Sequence, residues 1–267
     1  MTLQEKTEQS IRIIKKLYDY DRCDNIAFSG GKDSIVIYSL AKKTGLSFDY
    51  IYTNTTIDPK GHINFIRKNY PDVKILQPKL SFYQIVAKYG LPTRHRRFCC
   101  QHLKEYAGAG CKNFEGLRIE EGVKRGKRLN GIIGEPEQCD TRIKGKTHVY
   151  PIMNWTKVDV WDYIKLNGLA YPELYDRGYD RLGCVGCPLA SEKQRIFEYK
   201  EHPRYVFATI KAIKKNIDAK KSLSKFFNDP YSAFYWWVSG TSIKNFKEKQ
   251  LFEIDYEKII KETFKIK

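Results

Sequence analysis

Ile26-Ala27-Phe28-Ser29-Gly30-Gly31-Lys32-Asp33-Ser34 is the stretch that decides the fold, because it carries a short apolar strand through two glycines into a helix. Consecutive glycines let backbone N–H groups face an anion without a Cβ in the way, and the helix N-terminus adds partial positive charge. Lys32 supplies a mobile cation for phosphate, Ser29 and Ser34 supply hydroxyls, and Asp33 can hold Mg²⁺. The stretch predicts a phosphate-binding loop, against the alternative of a plain strand-to-helix turn.

The loop has neither of the common nucleotide-binding spacings, G-x-x-x-x-G-K-[ST] and G-x-G-x-x-G. S-G-G-x-D-S resembles instead the PP-loop of the ATP pyrophosphatases, which bind the β,γ-pyrophosphate of ATP and transfer AMP onto an acceptor oxygen. The resemblance implies that Gly30–Lys32 bind pyrophosphate, that Asp33 helps to place Mg²⁺, and that Lys32 and Asp33 serve catalysis. Thr53 and Asn54, at the end of the second predicted strand, are expected near the adenosine.

Strand and helix patterns alternate along the chain with short connections. Strands are predicted at 25–29, 48–53, 73–76, 113–118 and 147–152, with helices at 3–18, 33–43, 59–69, 81–89 and 157–167. This order implies an α/β fold, with a mostly parallel sheet and helices on both faces. After Ala190 only helical patterns remain, at 192–215, 223–227, 234–238 and 256–264. The expected domains are a nucleotide-binding domain over 1–190, which includes the iron-sulfur site argued below, and a helical region over 191–267.

The composition is that of a soluble globular protein. Apolar residues make up 42% of the 267 residues and charged residues 30%. No apolar run approaches the ~18 residues of a membrane-spanning helix, and residues 2–16 are too polar for a signal peptide. The expected location is the cytoplasm, with no membrane partner.

The chain is strongly basic, with 48 Lys and Arg against 31 Asp and Glu and a net charge of +17. Such an excess attracts polyanions by counterion release, which favours a nucleic acid partner over a surface that accommodates only ATP. Arg94–Arg97 and Lys124–Arg128 are basic runs that could bind phosphates of a nucleic acid, or the nucleotide and an anionic cluster. For His95 and His102 a solvated or hydrogen-bonded role is favoured over metal ligation.

Four of the seven cysteines form two tight pairs, Cys99-Cys100 and the C-x-x-C of Cys184 and Cys187. Cysteines in an expected cytoplasmic protein indicate metal or thiol chemistry rather than a disulfide framework. Adjacent cysteines project about 100° apart on a helix, which suits the separate iron corners of a 4Fe-4S cluster better than one tetrahedral zinc ion. A cluster is therefore favoured over zinc and over ordinary thiols.

The cysteine set resembles that of the assimilatory adenylyl-sulfate reductases in the phosphoadenosine-phosphosulfate reductase family. Further residues similar to the family are Phe114–Arg118 with Glu120, Glu121 and Arg125, then Pro151-Ile152, Trp155, Asp159–Trp161, Tyr163-Ile164, Leu174–Asp176 with Gly178 and Tyr179, and Gly183–Leu189. The resemblance covers about residues 24–189 and implies that Gly116 and Arg118 lie near the nucleotide.

The reductases commonly lack the lysine and aspartate that this chain has as Lys32 and Asp33. They also use a cysteine in a C-terminal E-C-G-x-H-type tail, whereas the last cysteine here is Cys187. The combination resembles more closely the iron-sulfur ATP pyrophosphatases that thiolate nucleic acids. It implies ATP, Mg²⁺ and a 4Fe-4S cluster as cofactors, DNA as the favoured acceptor with tRNA as an alternative, and a cysteine desulfurase and other subunits as partners.

Two alternatives remain open at this point. One is a reductase of adenylyl sulfate or phosphoadenylyl sulfate, for which Cys23, Cys111 or Cys139 would have to replace the missing nucleophile. The other is a non-catalytic basic scaffold that binds nucleic acid. The C-terminal run Phe226–Trp237, rich in aromatic residues and close to several lysines, is interpreted as helical core or a partner interface in preference to a base-stacking platform.

Overall fold

A computed structural model describes residues 1–21, 23–122, 137–139, 145–248 and 254–266, and its strands form one six-stranded sheet. The strands are β1 (Asp24–Ala27), β2 (Asp49–Thr53), β3 (Lys74–Leu76), β4 (Lys112–Phe114), β5 (Glu137–Cys139) and β6 (Thr147–Val149). Their order across the sheet is β3-β2-β1-β4-β6-β5, and only the β5–β6 pair is antiparallel. The predicted α/β class with a mostly parallel sheet is confirmed.

The helices lie largely where the apolar periodicity predicts them. They are α1 (Leu3–Leu17), α2 (Lys32–Thr44), α3 (His62–Asn69), α4 (Phe82–Tyr89), α5 (Phe98–Cys100), α6 (Lys157–Leu166), α7 (Glu192–Glu201), α8 (Pro203–Asp218), α9 (Pro230–Ser239), α10 (Ile243–Glu248) and α11 (Tyr256–Phe264). One π-helical turn follows α5 at Gln101–Glu105, and 3₁₀ turns lie at Ile119–Glu121 and Ser222–Lys225. No helix in the described ranges is long and apolar enough to cross a membrane.

Several details differ from the sequence-based expectation, and one of them is the helix predicted at 223–227, which is a 3₁₀ turn at Ser222–Lys225. The helical stretch predicted at 192–215 is two helices, because the chain breaks at His202 and Pro203 begins the second. A proline has no N–H for a preceding turn, so it favours the first position of a new helix. Strand β5 and helix α10 were not predicted, and both are short.

The chain divides into two compact units that are interleaved in sequence. The sheet unit comprises Met1–Thr53, Gly61–Leu76 and Glu105–Leu182, and the helical unit comprises Asn54–Lys60, Gln77–Lys104 and Gly183–Lys267. Each unit has its own apolar core, around residues such as Ile26, Ile35 and Phe114 in the first and Phe82 and Phe234 in the second. The division of the chain at residue 190 stays a prediction about domain organisation.

The aromatic C-terminal segment contributes mainly to the core of the helical unit. Phe234 and Trp237 are buried, and the Trp237 indole N–H donates to the Pro92 carbonyl at 2.6 Å. Phe226 and Tyr235 in the same segment are 45% and 40% exposed. Packing of helices therefore accounts for most of this run.

Cys23 and Cys111 form a disulfide in the sheet unit, with 5.1 Å between their Cα atoms. They precede β1 and β4, which are adjacent parallel strands, so the sheet brings the two residues together although 88 positions separate them. The expectation that the cysteines would not pair as disulfides is wrong for these two. Strand pairing over such a separation is invisible in the spacing of the cysteines.

Candidate functional site

The phosphate loop, Ser29–Ser34, connects β1 to α2 at the point where the strand order reverses. Strand β1 has β2 on one side and β4 on the other, and loops at the carboxyl ends of strands around such a reversal form the usual crevice for ligands in open α/β sheets. The N-terminus of α2 begins inside the loop, with Gly31 as its cap residue. The predicted strand, glycine turn and helix are all in place.

Gly30 is required by both its backbone angle and its surroundings. Its φ is +70°, in the left-handed region that favours glycine, and a Cβ there would lie 2.7 Å from Cε1 of His62. The His62 Nε2 atom lies 2.8 Å from the carbonyl oxygen of Ser29. His62 thus supports the loop from α3, and no side chain larger than hydrogen fits at position 30 without moving it.

The two serines of the loop hold its shape. The Ser34 hydroxyl donates to the Gly31 carbonyl at 2.8 Å, and the Ser29 hydroxyl lies 3.1 Å from the Ser34 hydroxyl. The Gly31 N–H donates to the Ser29 hydroxyl at 3.3 Å. These contacts close the turn with side-chain oxygens.

Lys32 is buried, with only 4% of its surface exposed. Its Nζ lies 3.2 Å from Oδ2 of Asp33 and donates to the Asp180 carbonyl at 3.3 Å. Its backbone N–H donates to the Tyr175 hydroxyl at 2.9 Å. A buried lysine at a helix N-terminus concentrates positive charge where an anionic ligand would sit.

Asp33 is held by two cations. Its Oδ1 accepts from Nε of Arg118 at 2.6 Å, and its Oδ2 faces Lys32. The side chain of Arg118 is 4% exposed, and Nη1 also contacts Glu120 at 2.6 Å. A carboxylate is the donor type that Mg²⁺ takes, so the chemistry of Asp33 fits the metal, although in this arrangement both oxygens already serve the two cations.

Gly116 and Arg118 come next to the loop because β4 lies beside β1. A Cβ on Gly116 would lie 2.7 Å from the backbone carbon and oxygen of Asp33. Only glycine permits this approach between the segment after β4 and the first turn of α2. The structure thus brings both predicted residues to the phosphate loop.

Thr53 and Asn54 mark the end of β2. Thr53 is the last residue of the strand, and Asn54 begins a turn in which its Oδ1 accepts from the Thr56 N–H at 2.8 Å. The Asn54 amide also donates to Gln77 at 2.8 Å. Their position beside an adenosine stays a prediction.

The four cysteines of the two tight pairs belong to the helical unit, and all four are free thiols. Cys99 and Cys100 lie on the single turn α5, which continues into the π-helical turn. Such a turn displaces the residues around it from regular α-helical positions and is often found at functional sites. The adjacent pair thus lies on a short and irregular helical segment.

The C-x-x-C pair is a tight turn fixed on both sides. The Cys187 N–H donates to the Cys184 carbonyl at 3.2 Å, and the Val185 N–H donates to the Ile57 carbonyl at 2.8 Å. Gly186 has φ +68°, and a Cβ there would lie 2.3 Å from the hydroxyl oxygen of Tyr199. The glycine inside the motif is thus dictated by the packing of α7 beneath it.

The thiols of the two pairs influence one another. A hydrogen bond with Cys100, burial, and the charges of Cys184 and Cys187 raise the pKa of Cys99. Burial raises the pKa of Cys184, and the charge of Cys184 is the main cause that raises the pKa of Lys104. The four sulfurs therefore share one neighbourhood with a lysine.

In the described ranges, no group of three or more His, Cys, Asp or Glu side chains is arranged to hold a metal ion. The donor set itself, four thiols in two pairs, has the chemistry of an iron-sulfur site. The residues fit such a cluster by type, and the sulfurs as they stand would have to converge to bind it.

Four residues of these two sites escaped the sequence interpretation: His62, Tyr175, Asp180 and Lys104. Tyr175 lies in the Leu174–Tyr179 segment that carries family similarity, so that segment held a signal. The other three had none, because their roles depend on contacts with distant residues: His62 with Ser29, Asp180 with Lys32, and Lys104 with Cys184.

The basic residues are distributed unevenly. The helical unit contains 24 Lys and Arg against 11 Asp and Glu, a net charge of +13, while the sheet unit accounts for the remaining +4. Arg94, His95, Arg96 and Arg97 are exposed just before the Cys99-Cys100 pair. The other basic run, 124–128, lies outside the described residues.

His102 stacks on Tyr89, with 5.2 Å between ring centroids and 12° between planes.

Comparison with known proteins identifies related chains. The phosphoadenosine phosphosulfate reductase domain matches residues 24–190. An uncharacterized protein of Methanocaldococcus jannaschii is 32% identical over 200 residues, which cover 70% of this chain and 48% of the relative. The adenosine 5'-phosphosulfate reductase of Oceanobacillus iheyensis is 32% identical over 196 residues, 68% of this chain and 79% of the relative.

The match thus spans less than half of the length of the first of these relatives. Among solved structures, the U34-tRNA thiolase NcsA of Methanococcus maripaludis with its [4Fe-4S] cluster covers 94% of this chain and 82% of its own. Its sequence identity is 15% and its TM-score 0.46. A likeness of that size bears on neither substrate nor cofactor.

Proposed function

Because this chain belongs to the phosphoadenosine phosphosulfate reductase family, we propose that it is the ATP-cleaving kind of PP-loop enzyme, an ATP pyrophosphatase that adenylates an acceptor oxygen for sulfur transfer to nucleic acid. The observation that carries the proposal is the complete phosphate loop: two glycines, a buried Lys32 and an Asp33 paired with Arg118 at the N-terminus of α2. A sulfonucleotide such as adenylyl sulfate has no triphosphate for the loop to neutralise, whereas ATP has one.

The loop residues divide the work by their chemistry. Backbone N–H groups at the start of α2 and the Lys32 ammonium bind the β- and γ-phosphates. The acceptor oxygen attacks the α-phosphorus, the bond to the bridging oxygen breaks, and pyrophosphate leaves with that oxygen and its charge. Arg118 and Lys32 stabilise the negative charge that moves to the leaving group. Mg²⁺, held through Asp33, would neutralise further charge on the phosphates.

The second half of the reaction replaces oxygen by sulfur. A sulfur nucleophile at the oxidation level of sulfide attacks the adenylated centre, and AMP leaves with the oxygen that the acceptor contributed. No net oxidation or reduction occurs in this step. The thiols Cys99, Cys100, Cys184 and Cys187 would hold a 4Fe-4S cluster, which can supply electrons or labile sulfur when bound.

The charge distribution supports a nucleic acid as the acceptor. Most of the positive charge of the chain belongs to the unit that also holds the four free cysteines, and the segment 77–104 contains six Lys and Arg and no acidic residue. A polyanion bound there by counterion release would be close to the thiols. DNA is the favoured acceptor, in a phosphorothioate modification, with tRNA as the alternative. A cysteine desulfurase as sulfur donor and further subunits of a modification system are part of the same proposal.

The test is pyrophosphate release from ATP by anaerobically purified protein with Mg²⁺, in the presence and absence of DNA or tRNA. We expect release that depends on Lys32 and is stimulated by the correct nucleic acid. The variant Lys32→Ala should abolish release. The control Lys74→Ala, which removes an exposed lysine paired with Asp49, should not.

A second candidate function is reduction of a sulfonucleotide, which the similarity to the Oceanobacillus iheyensis adenosine 5'-phosphosulfate reductase favours. Sulfite release from adenylyl sulfate or phosphoadenylyl sulfate without turnover of ATP would establish this candidate and refute the ATP pyrophosphatase. Nucleic acid binding that persists in Lys32→Ala and Asp33→Ala with no turnover of either substrate would indicate a non-catalytic scaffold.

A further inference from the structure

The hydroxyl of Tyr175 lies at the phosphate loop itself. Its oxygen accepts a hydrogen bond from the Lys32 backbone N–H at 2.9 Å. The Leu182 backbone N–H also donates to this oxygen. A Cβ on Gly31 would lie 3.3 Å from the same oxygen. Tyr175 therefore reaches the first N–H of α2, one of the donors that a loop of this kind offers to phosphate.

The ring of Tyr175 is held in this position by its own segment. It makes an edge contact with Trp161, with 5.1 Å between ring centroids, and its N–H donates to the Pro172 carbonyl at 3.1 Å. The Lys32 Nζ lies 5.6 Å from the centre of the ring. These contacts fix the hydroxyl relative to Lys32, so its placement is a property of the folded sheet unit.

The hydrogen-bond inventory of this hydroxyl leaves its proton available. A phenol oxygen accepts and its single O–H donates, and the bonds above use only the accepting side. Within the described ranges, the Tyr175 hydroxyl donates no hydrogen bond. Burial raises the pKa of Tyr175, so the hydroxyl keeps its proton at neutral pH.

We propose that Tyr175 is a phosphate ligand: its hydroxyl accepts from the Lys32 N–H and donates its proton to an oxygen of the pyrophosphate portion of the bound nucleotide. This assignment rests on the proposed function. Lys32 then contributes twice, through its ammonium directly and through its backbone N–H by way of Tyr175. A neutral donor of this kind adds a hydrogen bond to the leaving group without adding a charge to the crowded loop.

The test compares the full-length variants Tyr175→Phe and Tyr171→Phe with the wild type. Tyr171 is a matched control, because it belongs to the same segment, also makes an edge contact with Trp161, and directs its hydroxyl to Asp176 at 3.3 Å. Calorimetric titration with inorganic pyrophosphate, ATP and AMP gives three dissociation constants for each protein. Thermal unfolding establishes that each variant is folded.

For Tyr175→Phe we expect the dissociation constants of pyrophosphate and ATP to rise about tenfold, as for one lost hydrogen bond to a charged group, while that of AMP stays the same. Tyr171→Phe should match the wild type for all three ligands. Equal or tighter pyrophosphate binding by Tyr175→Phe would overturn the assignment and leave the proposed function standing. A wild type that binds neither pyrophosphate nor ATP would refute both.

Discussion

Asp33 and Arg118 form an ion pair that joins the first turn of α2 to the segment after β4, with 2.6 Å between Asp33 Oδ1 and Arg118 Nε. Both side chains are largely buried, at 15% and 4% exposed. The pair therefore orients the carboxylate that the proposed Mg²⁺ site depends on. It also connects the segments that follow β1 and β4 at the candidate site.

Removing Arg118 should destabilise the protein strongly. Arg118→Ala leaves Asp33 with only Lys32 as a counter-charge, and breaking a buried pair by removing one partner costs about 3 kcal/mol. Lys74→Ala, which removes the exposed pair with Asp49, should cost less than about 1 kcal/mol. Urea denaturation of both variants measures the difference, and equal costs would show that the Asp33–Arg118 pair is not a stabilising contact.

Gly116→Ala should distort the phosphate loop. Its Cβ would lie 2.7 Å from two backbone atoms of Asp33, so the backbone has to move, at a cost of about 1–3 kcal/mol. Gly122→Ala is the matched control, since nothing lies within 4 Å of a Cβ there. We expect lower stability and weaker ATP binding for Gly116→Ala alone. If both variants bind ATP as the wild type does, the close approach at Gly116 does not shape the loop.

Iron binding should depend on the four free cysteines and not on the disulfide. Anaerobically reconstituted wild type is expected to hold about four irons per chain with the visible absorbance of an iron-sulfur cluster. Cys184→Ser should lose most of this iron, and Cys23→Ser should retain it, because Cys23 pairs with Cys111 in the sheet unit. Zinc in place of iron in the protein as isolated would contradict the cluster.

The Cys23–Cys111 disulfide should stabilise the sheet unit under oxidising conditions. It closes a loop across 88 positions, and loops of that size give about 4 kcal/mol in the chain-entropy account. A reductant is expected to lower the free energy of unfolding of the wild type by roughly this amount and to leave Cys23→Ser unchanged. The same unfolding curve for the wild type with and without reductant would count against a formed disulfide.

Stability should fall above pH 10 through buried tyrosines. Burial raises the pKa of Tyr70 from 10.0 to about 12. Below the unfolded-state pKa both states keep the proton, so the contribution of this hydroxyl is complete. Between pH 10 and pH 12 the unfolded chain loses the proton first, so stability falls, by about 2 kcal/mol from this group.

Tyr70→Phe is expected to flatten that alkaline loss, and Tyr20→Phe, at an 81% exposed position, should not change it. Because the Tyr70 hydroxyl donates to the Ala170 carbonyl, the variant should also be less stable by about 1 kcal/mol at pH 7. Denaturation midpoints between pH 8 and pH 12 measure both effects. If Tyr70→Phe and the wild type lose the same stability between pH 10 and pH 12, Tyr70 is not a cause of the alkaline loss.

The periodic parts of the fold could be predicted well because local patterns carry them. Helix α2 is an example: apolar residues recur at helical spacing, and Gly45 in the left-handed conformation ends it. The short strand β5 illustrates the limit, since three residues give too little pattern to identify a strand. Where only tertiary pairing defines the end of an element, the sequence pattern misplaces it: the strand predicted at 113–118 is Lys112–Phe114.

At the candidate site, residues within a contiguous motif could be identified from the sequence, whereas residues that contact the motif from elsewhere could not. Ser29–Ser34 is contiguous, so its turn chemistry could be identified directly. His62 and Tyr175 reach the same loop from α3 and from the segment after α6. Family similarity marks the segment of Tyr175, but the contact that each residue makes with the loop cannot be identified from its sequence neighbours. Residues that act through contacts across the fold leave no local signature.

The amino-acid order by itself determined the α/β class, the phosphate loop and the two cysteine pairs, because each depends on neighbours within a few positions. The tertiary structure decided which residues meet: Gly116 and Arg118 at Asp33, Cys23 with Cys111, and the Tyr175 hydroxyl at Lys32. The physical reason is that strand pairing brings β1 beside β4. That juxtaposition is set by burial of the whole core, which no short segment encodes.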